Sequence, residues 1–149
     1  MNNLLAKLKD CCGGKRACMD CGLLVLRILP GYFMIANHGW KKITNPEKWE
    51  KLGNAFSKYF LDLLDFANPL FGFIAAFSES VCAVLVLVGL FTRPAAFFTA
   101  ATMFVDAMYH ITGTGSPETA LVYFSLFSAV ICLGPGKYSL DAVLFKKEK

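Results

Sequence analysis

Four long apolar runs constrain this chain more than any other feature. They occupy residues 21–40, 69–91, 94–112 and 118–133. A helix needs about 20 apolar residues to cross the hydrocarbon of a bilayer. The first three runs are near or above that length, and the fourth is short. Between them they hold most of the apolar content of a 149-residue chain that is 56% hydrophobic and only 17% charged. An average soluble domain carries about 25% charged residues. This composition excludes a disordered segment, a coiled coil and a disulfide-stapled secreted module, and it argues against a soluble domain. The predicted fold class is all-α: a polytopic membrane four-helix bundle.

The first run follows a polar, basic tail too long for a signal peptide, and no small-residue cleavage site follows it, so it is read as an uncleaved span. Pro30-Gly31 in its middle would break a soluble helix but is tolerated in a membrane span. Residues 41–67 differ in kind. Trp49, Leu52, Phe56, Tyr59 or Phe60, and Leu63 recur at helical spacing among lysines and carboxylates. That pattern predicts an interfacial amphipathic helix between spans one and two; an ordinary soluble surface helix is the alternative. Residues 113–117 (GTGSP) form a turn cluster, and Gly134-Pro135-Gly136 ends the fourth span. The chain therefore divides into a Cys-containing tail (1–20), a four-span membrane unit (21–144) and a basic C-terminal tail (145–149).

Lysine and arginine report topology. Lys7, Lys9, Lys15, Arg16, Arg93, Lys137, Lys146, Lys147 and Lys149 fall on one side of a four-span arrangement. Lys41, Lys42, Lys48, Lys51 and Lys58 fall on the other, partly balanced by carboxylates. The positive-inside rule predicts both termini in the cytoplasm, in a bacterial inner membrane. A net charge of +4 is weak support for a nucleic-acid partner, and none is expected. The expected partners are the lipid bilayer and a second protein or further copies of the chain.

Polar side chains inside the spans are the candidates for function, because they are costly in hydrocarbon and face the bundle interior. Arg27, Gly31, Met34 and His38 share one helical face. So do Glu79, Cys82, Val86 and Gly89, then Thr99, Met103, Asp106 and His110, and on the fourth span Ser125, Ser128 and Cys132. At 1.5 Å per residue, Glu79 and Asp106 both lie about 18 Å from the cytoplasmic side, with His38 and His110 about one turn further out. The functional reading is a polar cavity for a quinone head group, a proton relay or a metal, lined by Arg27, His38, Glu79, Asp106 and His110. The structural reading has Arg27 neutralising Glu79 and His110 pairing with Asp106 or water, as interhelical glue. Arg93 is expected to anchor the inner interface beside lipid phosphates.

Four cysteines, Cys11, Cys12, Cys18 and Cys21, cluster before the first span. One vicinal pair and one CxxC could hold zinc, act as a redox dithiol, or simply stay reduced. Cys82 and Cys132 read as small apolar packing residues. No nucleotide loop, flavin fingerprint or haem-attachment motif is present.

Three segments in this order carry a resemblance: LRILPGYFMIANHGWKKI (26–43), ESVCAVLVLVGLFTRPAAF (79–97) and GPGKYSLDAVL (134–144). Within them stand Arg27, Gly31, His38-Gly39, Lys42, Glu79, Gly89, Thr92-Arg93 and Ser139-Leu140-Asp141. The chain from about residue 23 onward resembles the DoxX family of small four-span bacterial membrane proteins. The resemblance implies a four-helix membrane fold and a loose association with redox chemistry, relatives including the small subunit of thiosulfate:quinone oxidoreductases. The expected function is thus a redox-associated membrane subunit that binds a quinone or similar apolar ligand, at most one part of a quinone- or thiol-linked oxidoreductase. A non-catalytic assembly scaffold is the alternative, and a small transporter a third. The Cys-rich tail lies outside the resemblance.

Overall fold

The structure is a computed structural model that describes residues 15–60, 65–113 and 115–145. Cys11, Cys12 and Leu63 of the sequence patterns lie outside the described residues. Helix α1 spans Lys15–Met34, continues through a π-helical turn at Ile35–Gly39 and ends in a last α turn, Trp40–Ile43. Pro30 sits inside it without ending it, as a span allows. After a 3-10 turn at Pro46–Lys48 comes α2, Trp49–Ser57. Helix α3 starts at Asn68–Phe77, passes through a second π-helical turn at Ser78–Cys82 and closes with Ala83–Val88. Then come α4, Thr92–Thr112, α5, Glu118–Leu133, and the short α6, Leu140–Leu144. Among the described residues there is no strand.

The four spans predicted from the apolar runs are α1, α3, α4 and α5. Ala17–Ile43 and Asp65–Val88 are long and apolar enough to cross a membrane. Helix α4 is of comparable length but carries Asp106, His110 and several threonines, and α5 is the shorter apolar helix. Large apolar side chains on every span face outward: Leu29 and Phe33, Phe73 and Val84, Phe97 and Phe104, Leu121 and Val122 are all exposed. A soluble monomer does not leave that much apolar surface uncovered; hydrocarbon does the covering here.

Two hairpins build the bundle. Helix α2 packs on the first half of α3, α4 packs on α5, and α1 packs on the second half of α3. The α2–α3 contact is backbone to backbone. A side chain at Gly53 would overlap Asn68, and one at Gly72 would overlap Trp49. The predicted amphipathic helix therefore forms over Trp49–Ser57, with Phe56 against Phe71 and Trp49 against Phe73. The central core is made of Met34, Ala83, Val86, Ala95, Ala96, Ala100, Met103, Phe127 and Val130. Its alanines let backbones approach closely, which is how membrane helices gain packing energy without a hydrophobic drive.

The inward stripe on α3 matches the one predicted, and so do Arg27, Gly31 and Met34 on α1 and Thr99 and Met103 on α4, whereas His38, Asp106 and His110 at the outer ends are partly exposed. The stripe on α5 does not match. Ser125 and Cys132 are exposed, and the buried face of α5 is Ala120, Phe127 and Val130. Ser125 donates its hydroxyl to Leu121 O of its own helix at 2.8 Å. A serine satisfied in this way can face lipid at little cost, so it carries no information about the inner face.

Candidate functional site

The two π-helical turns meet. Gly39, at the end of the first, lies against the backbone of Glu79 in the second, and a Cβ at Gly39 would overlap the Glu79 carbonyl. A π turn inserts one residue into the helical phase and leaves main-chain groups in need of partners, and such turns concentrate at functional sites. Here the need is met locally. Thr99 on α4 donates its hydroxyl to Ser78 O at 3.1 Å, and Ser80 donates to Ala76 O.

Helix α1 continues past its π turn to Ile43, which places Lys42 beside Glu79. Lys42 Nζ donates to Glu79 Oε1 at 2.5 Å. The Glu79 side chain is fully buried, whereas Lys42 keeps 24% of its own exposed. The partner of Glu79 is therefore Lys42, not Arg27 or His110. Glu79 Oε2 is buried and without a hydrogen-bond partner. Lys42 also anchors α2, because its carbonyl accepts from Trp49 Nε1 at 2.9 Å.

Beside this pair lies a cavity of about 290 Å³. Lys42, Glu79 and Asp106 supply its charged wall. Leu52, Ala55 and Phe56 of α2 form one side, Phe71, Ile74 and Ala75 of α3 another, and Phe97, Phe98, Ala101 and Thr102 of α4 the third. Ile74, Phe97 and Phe98 are also among the exposed, outward-facing apolar residues. The cavity thus opens sideways, between α3 and α4, toward the hydrocarbon. Its chemistry is that of a mostly apolar pocket with a few fixed polar groups, the ordinary form of a small-molecule site.

The other predicted site residues are distributed. Asp106 lines the cavity, and His110 stands one turn further along α4, its Nε2 3.9 Å from Asp106 Oδ2. Both are partly exposed. His38 turns its ring edge toward Tyr123 of α5, with centroids 5.8 Å apart, and does not line the cavity. Cys18 and Cys21 are exposed free thiols near the start of α1. Of the proposed carboxylate rung both members reach one cavity; the five-residue lining is not formed as a unit.

Arg27 belongs to a second cluster, at the end where α1 starts and α5 stops. It is fully buried and donates from Nη2 to Tyr138 O at 2.5 Å. Gly89 makes room for it. This residue ends α3 in the left-handed region (φ 76°), and a Cβ there would overlap Arg27 Nη1. Asp141 completes the junction. It accepts from Phe91 N at 2.8 Å, Thr92 N at 2.9 Å and Thr92 Oγ1 at 2.7 Å, and so caps α4. Its own N–H donates to Gly89 O. Burial opposes ionisation of Asp141, but the Thr92 and Phe91 hydrogen bonds and the nearby Arg27 guanidinium outweigh it and hold the carboxyl below its ordinary value. Asp20 accepts from Lys137 N at 3.1 Å and ties the two chain ends to one face of the bundle. Exposed Arg93 lies over Gly134 at that same end.

The DoxX family model matches residues 22–111, more than half of the chain. The chain belongs to the DoxX family. A protein of Haemophilus influenzae named only as uncharacterized is 35% identical over 83 residues, which is 50% of this chain and 62% of that protein. The chain thus aligns with less than two thirds of that relative. No solved structure matches. The DoxX match takes in α1 to α4 and with them Lys42, Glu79 and Asp106, while α5 and the 134–144 segment lie beyond it. Sequence reasoning missed Lys42 as a site residue although a signal existed: Arg27, Gly31, Met34 and His38 continue at helical spacing to 42. Lys42 was counted as a topological charge outside the span, and the span runs through it.

Proposed function

We propose that this DoxX-family membrane protein is a redox-associated subunit that binds a quinone or similar ring-bearing apolar ligand in the cavity between α2, α3 and α4. The observation that carries this reading is the Lys42–Glu79 pair at the inner wall of an aromatic-lined void whose mouth faces lipid. A ligand dissolved in hydrocarbon reaches such a mouth without crossing water. Its ring packs among Phe56, Phe71 and Phe98, and the two Lys42 N–H groups not used by Glu79 are donors for a ligand carbonyl. Asp106 and His110, both partly exposed, form a route for protons between the cavity and the surface. The basic-residue count supports placing both termini in the cytoplasm of a bacterial inner membrane, with residues 21–144 as the membrane unit and Arg93 at the inner interface. A protein partner supplies the electron donor.

Gently solubilised protein should yield about one quinone per chain on organic extraction and mass spectrometry, a stoichiometry set by the single-ligand size of the cavity. Lys42→Met and the cavity-filling Ala101→Phe should both remove it. Quinone absent from the unmutated protein, or retained by both variants, overturns the proposal. A scaffold reading is favoured by one observation, the Arg27–Tyr138–Asp141 junction, in which buried polar groups serve the fold alone. Under that reading a stoichiometric protein partner co-purifies and the cavity stays empty of quinone.

A further inference from the structure

We infer that the cavity selects the hydroxylated form of its ring ligand, a quinol-type O–H, over the matching quinone carbonyl, and that Glu79 makes the choice; the inference rests on the ring ligand proposed above. Glu79 borders the cavity, its side chain is fully buried, and its two oxygens are not equivalent. Oε1 accepts from Lys42 Nζ, whereas Oε2 is buried with no hydrogen-bond partner. Paired with an ammonium, the side chain is a carboxylate, and a carboxylate only accepts. A buried acceptor without a donor carries the full cost of its lost hydration, and more so when it is charged. The hydroxyls around it are committed elsewhere. Ser78 donates to Ile74 O at 2.7 Å, Ser80 to Ala76 O at 2.5 Å, and Thr99 to Ser78 O and Ala95 O, both at 3.1 Å. The donor that Oε2 lacks is one that a ligand in the cavity can bring.

A ring hydroxyl serves both members of the pair. Its O–H donates to Glu79 Oε2, and its oxygen accepts from a Lys42 N–H that Glu79 does not use. A carbonyl serves Lys42 alone, and its lone pairs meet a carboxylate oxygen that repels them. The rest of the wall does not redress this. Asp106 adds a second carboxyl to the lining, and the Thr102 hydroxyl already donates to Phe98 O of its own helix at 3.0 Å. A site built to hydrogen-bond a ligand hydroxyl rejects the analogue without one, because the buried polar group then stays unpaired. Hydrogen bonds to a charged group are the stronger kind, so the discrimination should reach about tenfold or more.

The test compares one ring in two states. Full-length protein in detergent is titrated anaerobically, by calorimetry, with duroquinol and with duroquinone. The unmutated chain should bind duroquinol at least about tenfold more tightly. The dimethyl ether of duroquinol keeps the ring but has no O–H, and should bind no better than the quinone. Glu79→Gln should lose the preference, because with Lys42 on the amide oxygen the free acceptor is replaced by an N–H donor. A melting curve checks that this variant folds, and the comparison of ligands on the unmutated chain stands without it. Equal affinity for duroquinol and duroquinone, an ether that matches the quinol, or a folded Glu79→Gln protein that keeps the preference overturns the selection and leaves the ring ligand itself standing. Tighter binding of duroquinone also overturns it, and would place a proton on Glu79 Oε2. Binding of neither form removes the ring ligand, and the selection with it.

Discussion

Glu79 and Arg27 are both buried charges, and the bundle treats them in opposite ways. Around Arg27 the packing is close, although its Nε and Nη1 are buried without a hydrogen-bond partner, as Glu79 Oε2 is. The guanidinium fills the space that Gly89 leaves open and donates to the Tyr138 carbonyl, and Asp141 locks the start of α4 beside it. The Arg27–Tyr138 bond joins residues 111 positions apart, the Asp141–Thr92 bond residues 49 apart, and together they fix the end of the bundle. Around Glu79 the packing stops short. One carboxylate oxygen is taken by Lys42, the other has no partner, and a void of about 290 Å³ lies alongside. A buried charge held for the fold is packed on every side. The buried charge of Glu79 instead stands beside open space, where the ligand proposed above would enter.

The largest expected effect breaks the Glu79 side of this contrast. Lys42→Met leaves an unpaired carboxylate at a fully buried position. Removing one partner of a buried pair costs about 3–5 kcal/mol. Lys42 keeps part of its side chain in contact with solvent, so the lower end, about 3 kcal/mol, applies. Adding Glu79→Gln to Lys42→Met should recover much of the loss, because the stranded charge is then gone. Unfolding in mixed micelles measures both. An unchanged Lys42→Met protein would show that the two groups do not pair.

The Arg27 side is broken next. Asp141→Ala removes the cap of α4 and three accepted hydrogen bonds, at a cost of about 2 kcal/mol, the upper end for helix caps. The acid limb of the stability profile should change with it. Because folding holds the Asp141 carboxyl below its ordinary value, its contribution is complete above the unfolded-state pKa of about 3.9 and is lost as pH falls through the lower folded value. The unmutated protein should therefore weaken below about pH 4, and Asp141→Ala should show less of that fall. An identical acid limb in the two proteins would remove Asp141 from the account.

These two regions also mark what could be seen in the chain beforehand. The spans were legible because lipid-facing and core-facing residues are both apolar, and α5 spans the residues that the fourth apolar run covers, 118–133. Glu79 was legible as an inward group because nothing else so polar sits so deep in an apolar run. Its partner was legible only as a spacing: Lys42 follows Arg27, Gly31, Met34 and His38 at helical intervals, but charge counting puts it outside a span that runs on through Ile43. Arg27 was legible as buried, but its acceptor is a main-chain carbonyl 111 residues away, and no side-chain pattern announces a carbonyl. A polar cavity is expected from the inward polar residues, but its mostly apolar wall and its place between α2, α3 and α4 are not, because they follow from how those three helices pack.

A smaller effect separates hydroxyls that join helices from those that do not. Thr99→Val removes the donor that satisfies Ser78 O across the α3–α4 contact and should cost about 1 kcal/mol. Ser125→Ala removes only a bond to the helix's own backbone on an exposed face, and should change stability by less than about 0.5 kcal/mol. Equal costs would mean that the π turn in α3 does not depend on α4.

The smallest expected quantity is the coupling between the two buried charges. Arg27→Met should be destabilising by itself, because it empties the space against Gly89 and frees the Tyr138 carbonyl. Glu79→Gln should be destabilising by itself, because it leaves Lys42 without its counter-charge. The two residues share no hydrogen-bond partner, so the double variant should lose the sum of the two effects to within about 0.5 kcal/mol. The matching cycle of Lys42→Met with Glu79→Gln should show a coupling of at least about 1 kcal/mol, as contacting charged pairs do. Additivity in the first cycle and coupling in the second would establish that the two clusters are energetically separate, one at the Arg27 junction and one at the Lys42–Glu79 pair. A coupling above about 1 kcal/mol between Arg27 and Glu79 would instead make them a single electrostatic unit, and the contrast between a closed junction and an open site would fail.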